Sequence, residues 1–185
     1  MITFIIIWSI WFISELLLNI FFRSANNDKN IQDKGSMRII WITIGIALNL
    51  GIIISIFIRF PISKLIIIPY LGLFLITAGM IFRFIAVWSL GKFFTVNVSI
   101  QENHKIIKNG VYKIIRHPSY LGSLVSFIGF GISLNNLISL TMIVIPITIA
   151  FIHRINIEEK LLLKQCEVDY SEYMKKTYRL LPKIY

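Results

Sequence analysis

Three long apolar blocks and a divided fourth constrain this chain more than any other feature. Residues 2 to 22 (ITFIIIWSIWFISELLLNIFF), about 39 to 58 and about 65 to 90 each match the ~20 apolar residues that cross ~30 Å of hydrocarbon. The stretch 118 to 153 is divided at Leu134-Asn135-Asn136 into two arms of about 17 residues, each near the lower limit for spanning. A soluble core does not accommodate so much apolar sequence. Of the 185 residues, 56% fall in the AVILMFWYC set and 15% are charged, whereas soluble domains run nearer a quarter charged. The chain therefore reads as a polytopic membrane protein. No positively charged segment precedes the first block and no small-residue cleavage site follows it, so that block reads as a retained span rather than a signal peptide.

The polar intervals set the topology. RSANNDKNIQDKGSMR, residues 23 to 38, has the Asn, Asp, Gly and Lys content of a solvated loop, and RFPISK, punctuated by Pro61, turns the second span into the third. Residues 92 to 117 are too polar to span, and from Arg154 the sequence becomes a charged amphipathic helix that stops at Pro182. The net charge of +10, from 19 Lys and Arg against 9 Asp and Glu, would suggest nucleic acid in a soluble protein. Here sixteen of the nineteen basic residues fall on one side of five spans, Arg59 and Lys64 on the other, and Arg83 within a span. That bias predicts the N-terminus outside and the C-terminal half in the cytoplasm. The charge is thus an orientation signal and a contact to membrane lipids, not a nucleic-acid surface. The Ile, Lys and Asn richness suggests a bacterial plasma membrane. One cysteine, Cys166, excludes an internal disulfide and a cysteine metal cluster, and no metal is expected.

Two ionisable residues, Glu15 and Arg83, lie well inside spans, where a charge is costly unless paired or functional. Glu15 lies eight residues before Arg23 and Arg83 nine before Lys92, which at 1.5 Å per residue puts both about 12 to 14 Å in from the cytoplasmic end. The equal depth predicts an ion pair between the first and third spans. The alternative has Arg83 snorkelling to the headgroups and Glu15 facing a wet cavity.

No GxGxxG, P-loop, HExxH or GxSxG pattern occurs. Two segments remain as candidates for chemistry. In GVYKIIRHPSYLG, residues 110 to 122, Gly110 suits a turn, Pro118 suits the first turn of a helix, and Arg116 and Tyr120 suit interfacial anchors. His117 and Tyr112 beside a helix N-terminus also suit a site for an anionic group. In the second segment, Arg154 and Glu158 share a helix face; they are either an exposed i,i+4 pair worth a few tenths of a kcal/mol, or a headgroup or carboxylate site at the membrane exit.

Together, HKIIKNGVYKIIRHPSYLG at residues 104 to 122, a short apolar hairpin, R-x-x-x-E-E from Arg154, and Y-x-x-Y at Tyr170 and Tyr173 with a terminal Pro resemble the isoprenylcysteine carboxyl methyltransferase family and its wider relatives among membrane methyltransferases. The resemblance covers about residues 90 to 183; the first three spans match only as generic membrane helices. It implies an integral-membrane enzyme that uses S-adenosyl-L-methionine without a Rossmann domain, with the cofactor enclosed by cytoplasmic segments and C-terminal helices. By motif position it assigns cofactor contacts to His104, Lys105, Ile106, Ile107, Tyr112, His117, Pro118, Ser119, Tyr120, Glu158 and Glu159. It assigns catalytic roles to Arg116, His117 and Arg154, with Arg154 on the substrate side. Two departures, Cys166-Glu167 in place of a Phe-Gly and Thr177-Tyr178 in place of a Val-Pro, fall in the outer helix and bear on lid packing or substrate shape.

The expected architecture is an all-α integral membrane protein of about five transmembrane helices, the last two a short hairpin, with a C-terminal amphipathic cytoplasmic helix. Residues 1 to 90 hold three spans with a polar loop at 23 to 38; residues 91 to 185 hold the catalytic region, as loop 91 to 117, hairpin 118 to 153 and helix 154 to 183. The expected activity is methyl transfer to a lipophilic acceptor entering from the bilayer, most like carboxyl O-methylation of an isoprenylcysteine. Phospholipid N-methylation, methylation of another small lipid or thiol, and a non-catalytic scaffold or lipid-binding role stand as alternatives.

Overall fold

The computed structural model describes residues 2–21, 35–91 and 106–182. Their elements are α1 (Ile2–Phe21), α2 (Ser36–Phe57), α3 (Ile67–Leu90), a single 3-10 turn (Gly110–Lys113), α4 (Pro118–Ser133), α5 (Leu137–Gln165) and α6 (Glu167–Lys176). In hydrocarbon each backbone N–H and C=O must be satisfied within its own segment, and the apolar blocks do so as helices. α1, α2, α3 and α5 are each long and apolar enough to cross a membrane. α4, at 16 residues, reaches about 24 Å and is mostly buried against α3 and α5. The chain is an integral, multi-pass, all-helical membrane protein, with no doubly wound sheet among the described residues.

Small residues bring α3 and α4 together along their length. A Cβ on Gly79 would stand 2.5 Å from Ser126 Oγ and 2.6 Å from the Gly122 carbonyl, and Gly72 abuts the Ser133 backbone just as closely. Such close approach recovers van der Waals contact where no hydrophobic drive separates helix from lipid. Around this pair Trp11 of α1, Ile44 of α2, Ile147 and Phe151 of α5, and Phe127 and Phe130 of α4 form one buried cluster. The hairpin tip falls at Leu134-Asn135-Asn136 as expected. Asn136 caps α5 by accepting from Ser139 N at 3.0 Å, and Asn135 bonds both backbone groups of Ser63 in the α2–α3 loop.

One expected boundary moves. The sequence predicts a separate amphipathic helix from Arg154, but α5 runs unbroken from Leu137 to Gln165, and the helix breaks at Cys166 instead. Arg154 is no boundary because its side chain is wholly buried and bonded within the protein, so the helix has no reason to end where polarity begins. α6 then folds back, and residues beyond it form a strap. Tyr178 N donates to Ile114 O at 2.9 Å and Arg116 N to Tyr178 O at 2.8 Å, laying the strap beside residues 114 to 117.

Glu15 and Arg83 pair as the depth argument predicts, Arg83 Nε lying 3.0 Å from Glu15 Oε1. The snorkelling alternative is set aside, because Arg83 Nη1 also donates inward to Ser119 O at 3.1 Å and Ser119 Oγ at 2.9 Å. Removing one partner strands a charge in hydrocarbon. Glu15→Gln and Arg83→Gln should therefore each lower folded yield and thermal stability more than the double substitution does. A double variant no better than either single one refutes the coupling.

Candidate functional site

The two sequence segments converge at one end of the bundle. α4 begins at Pro118, whose missing N–H costs nothing in a first helical turn, and its N-cap residue is His117. α5 brings Arg154, Glu158 and Glu159 to the same place, and adjacent Glu158 and Glu159 diverge by ~100° around the helix axis. Each carboxylate consequently serves a different set. Glu158 Oε1 accepts from Tyr120 OH at 2.5 Å and from Arg154 Nε at 3.2 Å. Glu159 Oε1 accepts from Arg116 Nε at 2.9 Å, and Glu159 Oε2 lies 2.5 Å from Arg179 Nη2. His117 joins the two, with Nδ1 3.6 Å from Glu158 Oε2 and Nε2 3.2 Å from Glu159 Oε1.

The halves of this cluster differ in openness. The Glu159 side is closed: Arg116 Nη1 also donates to Met174 O at 3.2 Å and to Thr177 O, so Arg116 ties α5 to the last carbonyls of α6. Arg116 thus holds the outer helix in place rather than facing an open space. The Glu158 side is more accessible, its side chain 21% exposed, while Arg154 beside it is 0% exposed. The exposed i,i+4 reading of Arg154 and Glu158 is corrected by that burial. Arg154 Nη1 reaches across to Ser36 Oγ at the first turn of α2.

The remaining expected residues fall as follows. Ser119 turns toward Arg83, linking the motif to the intramembrane ion pair. Ile106 and Ile107 are half-buried ahead of the 3-10 turn. Tyr112 does not join His117; its hydroxyl donates to Ala86 O at 3.3 Å, and its carbonyl accepts from Tyr173 OH at 2.7 Å. Burial pushes the Tyr173 hydroxyl up to about 12 against the opposing pull of Arg116, so it stays a proton donor at neutral pH. His104 and Lys105 lie outside the described residues. Sequence reasoning missed Ser36, whose only signal was its place at the start of an apolar run. It also gave no role to Arg179, which donates to Asn156 Oδ1 at 2.6 Å besides binding Glu159.

A bundle of membrane helices carrying a buried acid–base cluster at one end, under a C-terminal helix and strap, defines a class of integral-membrane proteins with a polar site at the bilayer boundary. Residues 70–164 match the isoprenylcysteine carboxyl methyltransferase (ICMT) family, and the chain belongs to it. A probable protein-S-isoprenylcysteine O-methyltransferase of Oryza sativa subsp. japonica is 33% identical over 117 residues, 62% of this chain and 61% of that protein. The protein-S-isoprenylcysteine O-methyltransferase of Saccharomyces cerevisiae is 36% identical over 108 residues, 57% of this chain and 45% of that protein. A solved structure of the eukaryotic intramembrane Ras methyltransferase ICMT without a monobody is similar, with a TM-score of 0.64 and 26% identity over 78% of this chain and 52% of that one. The chain spans about three fifths or less of the length of these relatives.

Proposed function

We propose that this protein transfers a methyl group from S-adenosyl-L-methionine to the carboxylate of a lipophilic, isoprenylcysteine-type acceptor that enters from the bilayer. The observation that carries the reading is the junction of RHPSY with Arg154, Glu158 and Glu159 at one membrane boundary, with Arg154 held inside the protein. The donor set fits the cofactor. The part-exposed Glu158 carboxylate suits ribose hydroxyls or an ammonium group, and the first-turn N–H groups of α4 suit a carboxylate. Tyr120 supplies aromatic surface beside Glu158, and the family resemblance adds Ile106, Ile107 and Pro118 as contacts.

When bound, the sulfonium supplies an already activated methyl group, so a carboxylate oxygen forms a C–O bond as the S–C bond breaks and no proton is transferred. The chain's own residues then have to orient and exclude water. Arg154 holds the acceptor carboxylate by charge-assisted hydrogen bonds. Tyr120 and His117 fix the Glu158 carboxylate, and Arg116 with Glu159 keeps α6 and the strap over the site as positioning residues. The bias of the basic residues supports an orientation with this end of the bundle in the cytoplasm and the N-terminus outside, and the Ile, Lys and Asn richness supports a bacterial plasma membrane.

Calorimetry on purified protein is expected to show S-adenosylmethionine binding that Glu158→Ala and His117→Ala weaken at least tenfold, each removing a bond to a charged group. A folded preparation with no measurable binding refutes the proposal. Incubating protein, cofactor and lipophilic extracts should yield species heavier by one methyl group, detected by mass spectrometry. A base-labile product identifies an ester; a base-stable product identifies an N-methyl acceptor instead.

A further inference from the structure

The acceptor-side arginine is held by a helix that lies outside the family-matched segment. Arg154 comes from α5, and its Nη1 donates to Ser36 Oγ at the first turn of α2, 118 residues away in sequence. Both residues are sealed from solvent, Ser36 at 1% and Arg154 at 0% exposure. Below the bond the α2–α5 seam is apolar, built from Ile40, Ile44, Ala47 and Leu48 against Ile143, Ile147, Ala150 and Phe151. Gly51 lies so close to Ile143 that a Cβ there would stand 2.5 Å from Ile143 Cδ1, so the seam is tightly closed toward its far end.

A guanidinium is planar and directional, so its use against a carboxylate depends on which of its edges other groups occupy. Glu158 bonds Nε and Ser36 bonds Nη1, so the Ser36 hydroxyl is one of the contacts that set the rotation of the head group. A serine hydroxyl suits this work better than a second acid, because it accepts a hydrogen bond and adds no further negative charge beside the arginine.

We propose that Ser36 is a positioning residue for acceptor recognition: its hydroxyl orients Arg154 toward the acid group of a lipophilic substrate at the cytoplasmic mouth of the α2–α5 seam. The proposal rests on the carboxylate-acceptor reading above. It adds that α2, which the family match does not reach, takes part in choosing the substrate.

The test compares binding of N-acetyl-S-farnesylcysteine with binding of its methyl ester, measured by equilibrium binding to the full-length protein in nanodiscs without cofactor. The native protein should prefer the acid. Ser36→Ala and Ser36→Val should each weaken acid binding about tenfold, the cost of a hydrogen bond to a charged group, and leave ester binding unchanged. Ser36→Thr, isosteric with the valine variant but still carrying a hydroxyl, should restore the acid preference. In turnover with saturating cofactor, the alanine and valine variants should raise KM for the acid with little change in kcat. Equal losses for acid and ester mean that Ser36 only packs the seam, and unchanged acid binding means that it does not position Arg154; either result overturns the proposal. A native protein that binds acid and ester alike refutes the carboxylate reading itself, whatever the variants do. Should the alanine variant fold poorly, the threonine–valine pair decides alone.

Discussion

Arg154→Gln is expected to reduce methylation of an acid acceptor at least about thirtyfold while leaving S-adenosylmethionine affinity within about threefold of the native value. The size follows from truncating one partner of a buried charge-assisted pair, which costs about 2 to 5 kcal/mol when the other charge is left unpaired. Arg154 lies at 0% exposure, so water does not substitute for the lost guanidinium. The asymmetry follows from the neighbours. Glu158 keeps its bond from Tyr120 OH at 2.5 Å, and His117 stays near its other oxygen, so the carboxylate proposed to bind the cofactor stays in place without Arg154. Arg154→Lys should recover little, because an ammonium cannot meet both Glu158 and Ser36 in the plane of a fork. Calorimetry for the cofactor and methyl incorporation for the acceptor separate the two effects. Parallel loss of both would mean that Arg154 supports the whole cluster rather than the acceptor.

The second large effect concerns folding. Glu159→Ala should destabilise the protein by about 3 to 5 kcal/mol, because it leaves the largely buried Arg116 and Arg179 without their shared anion. Arg116, His117 and Arg179 all bond this one carboxylate, from the segment before α4 and from the strap after α6. Arg116 in turn holds Met174 O and Thr177 O at the end of α6. Loss should therefore appear first in the C-terminal cover. Hydrogen exchange should rise across residues 167 to 182 before it rises in α3 or α4, and the melting temperature should fall by roughly 10 °C for a chain of this length. Uniform loss of protection through every helix would show that Glu159 supports the bundle as a whole and not the cover in particular.

Much of the architecture was legible in the residues, for a physical reason that leaves few alternatives. A stretch of apolar residues long enough to cross hydrocarbon has to satisfy its own backbone, so helix, span and approximate ends follow from composition and length. The turn at Leu134-Asn135-Asn136 was readable because asparagine tolerates the left-handed backbone adopted there, with Asn135 at φ 47°, and caps the helix that follows. The Glu15–Arg83 pair was readable because depth along a helix is counted residue by residue. The onset of polarity at Arg154 does not mark the end of α5. The helix continues past Arg154, since a charged residue ends a span only when it has to reach water, and this one is bonded inside.

The motifs, likewise, marked the region of the site but not the work of each residue in it. That Glu158 and Glu159 face different partners is visible only once the helix axis is placed against α4 and the strap. Arg116 looked like a working residue in sequence, and its neighbours in space make it a tie between α5 and α6. Tyr112 looked like a companion of His117 and instead bonds the end of α3. Neither the Ser36 contact nor the Arg179 contact is legible in sequence, because contacts made across more than a hundred residues, or by a strap without regular structure, leave no periodicity in the chain. Sequence by itself determined what the solvent imposes, helices of membrane length with their charges gathered at one end. Only the tertiary structure decided which charges meet, because a buried ion is stabilised by the few atoms within hydrogen-bonding reach, and those arrive from segments that only folding brings together.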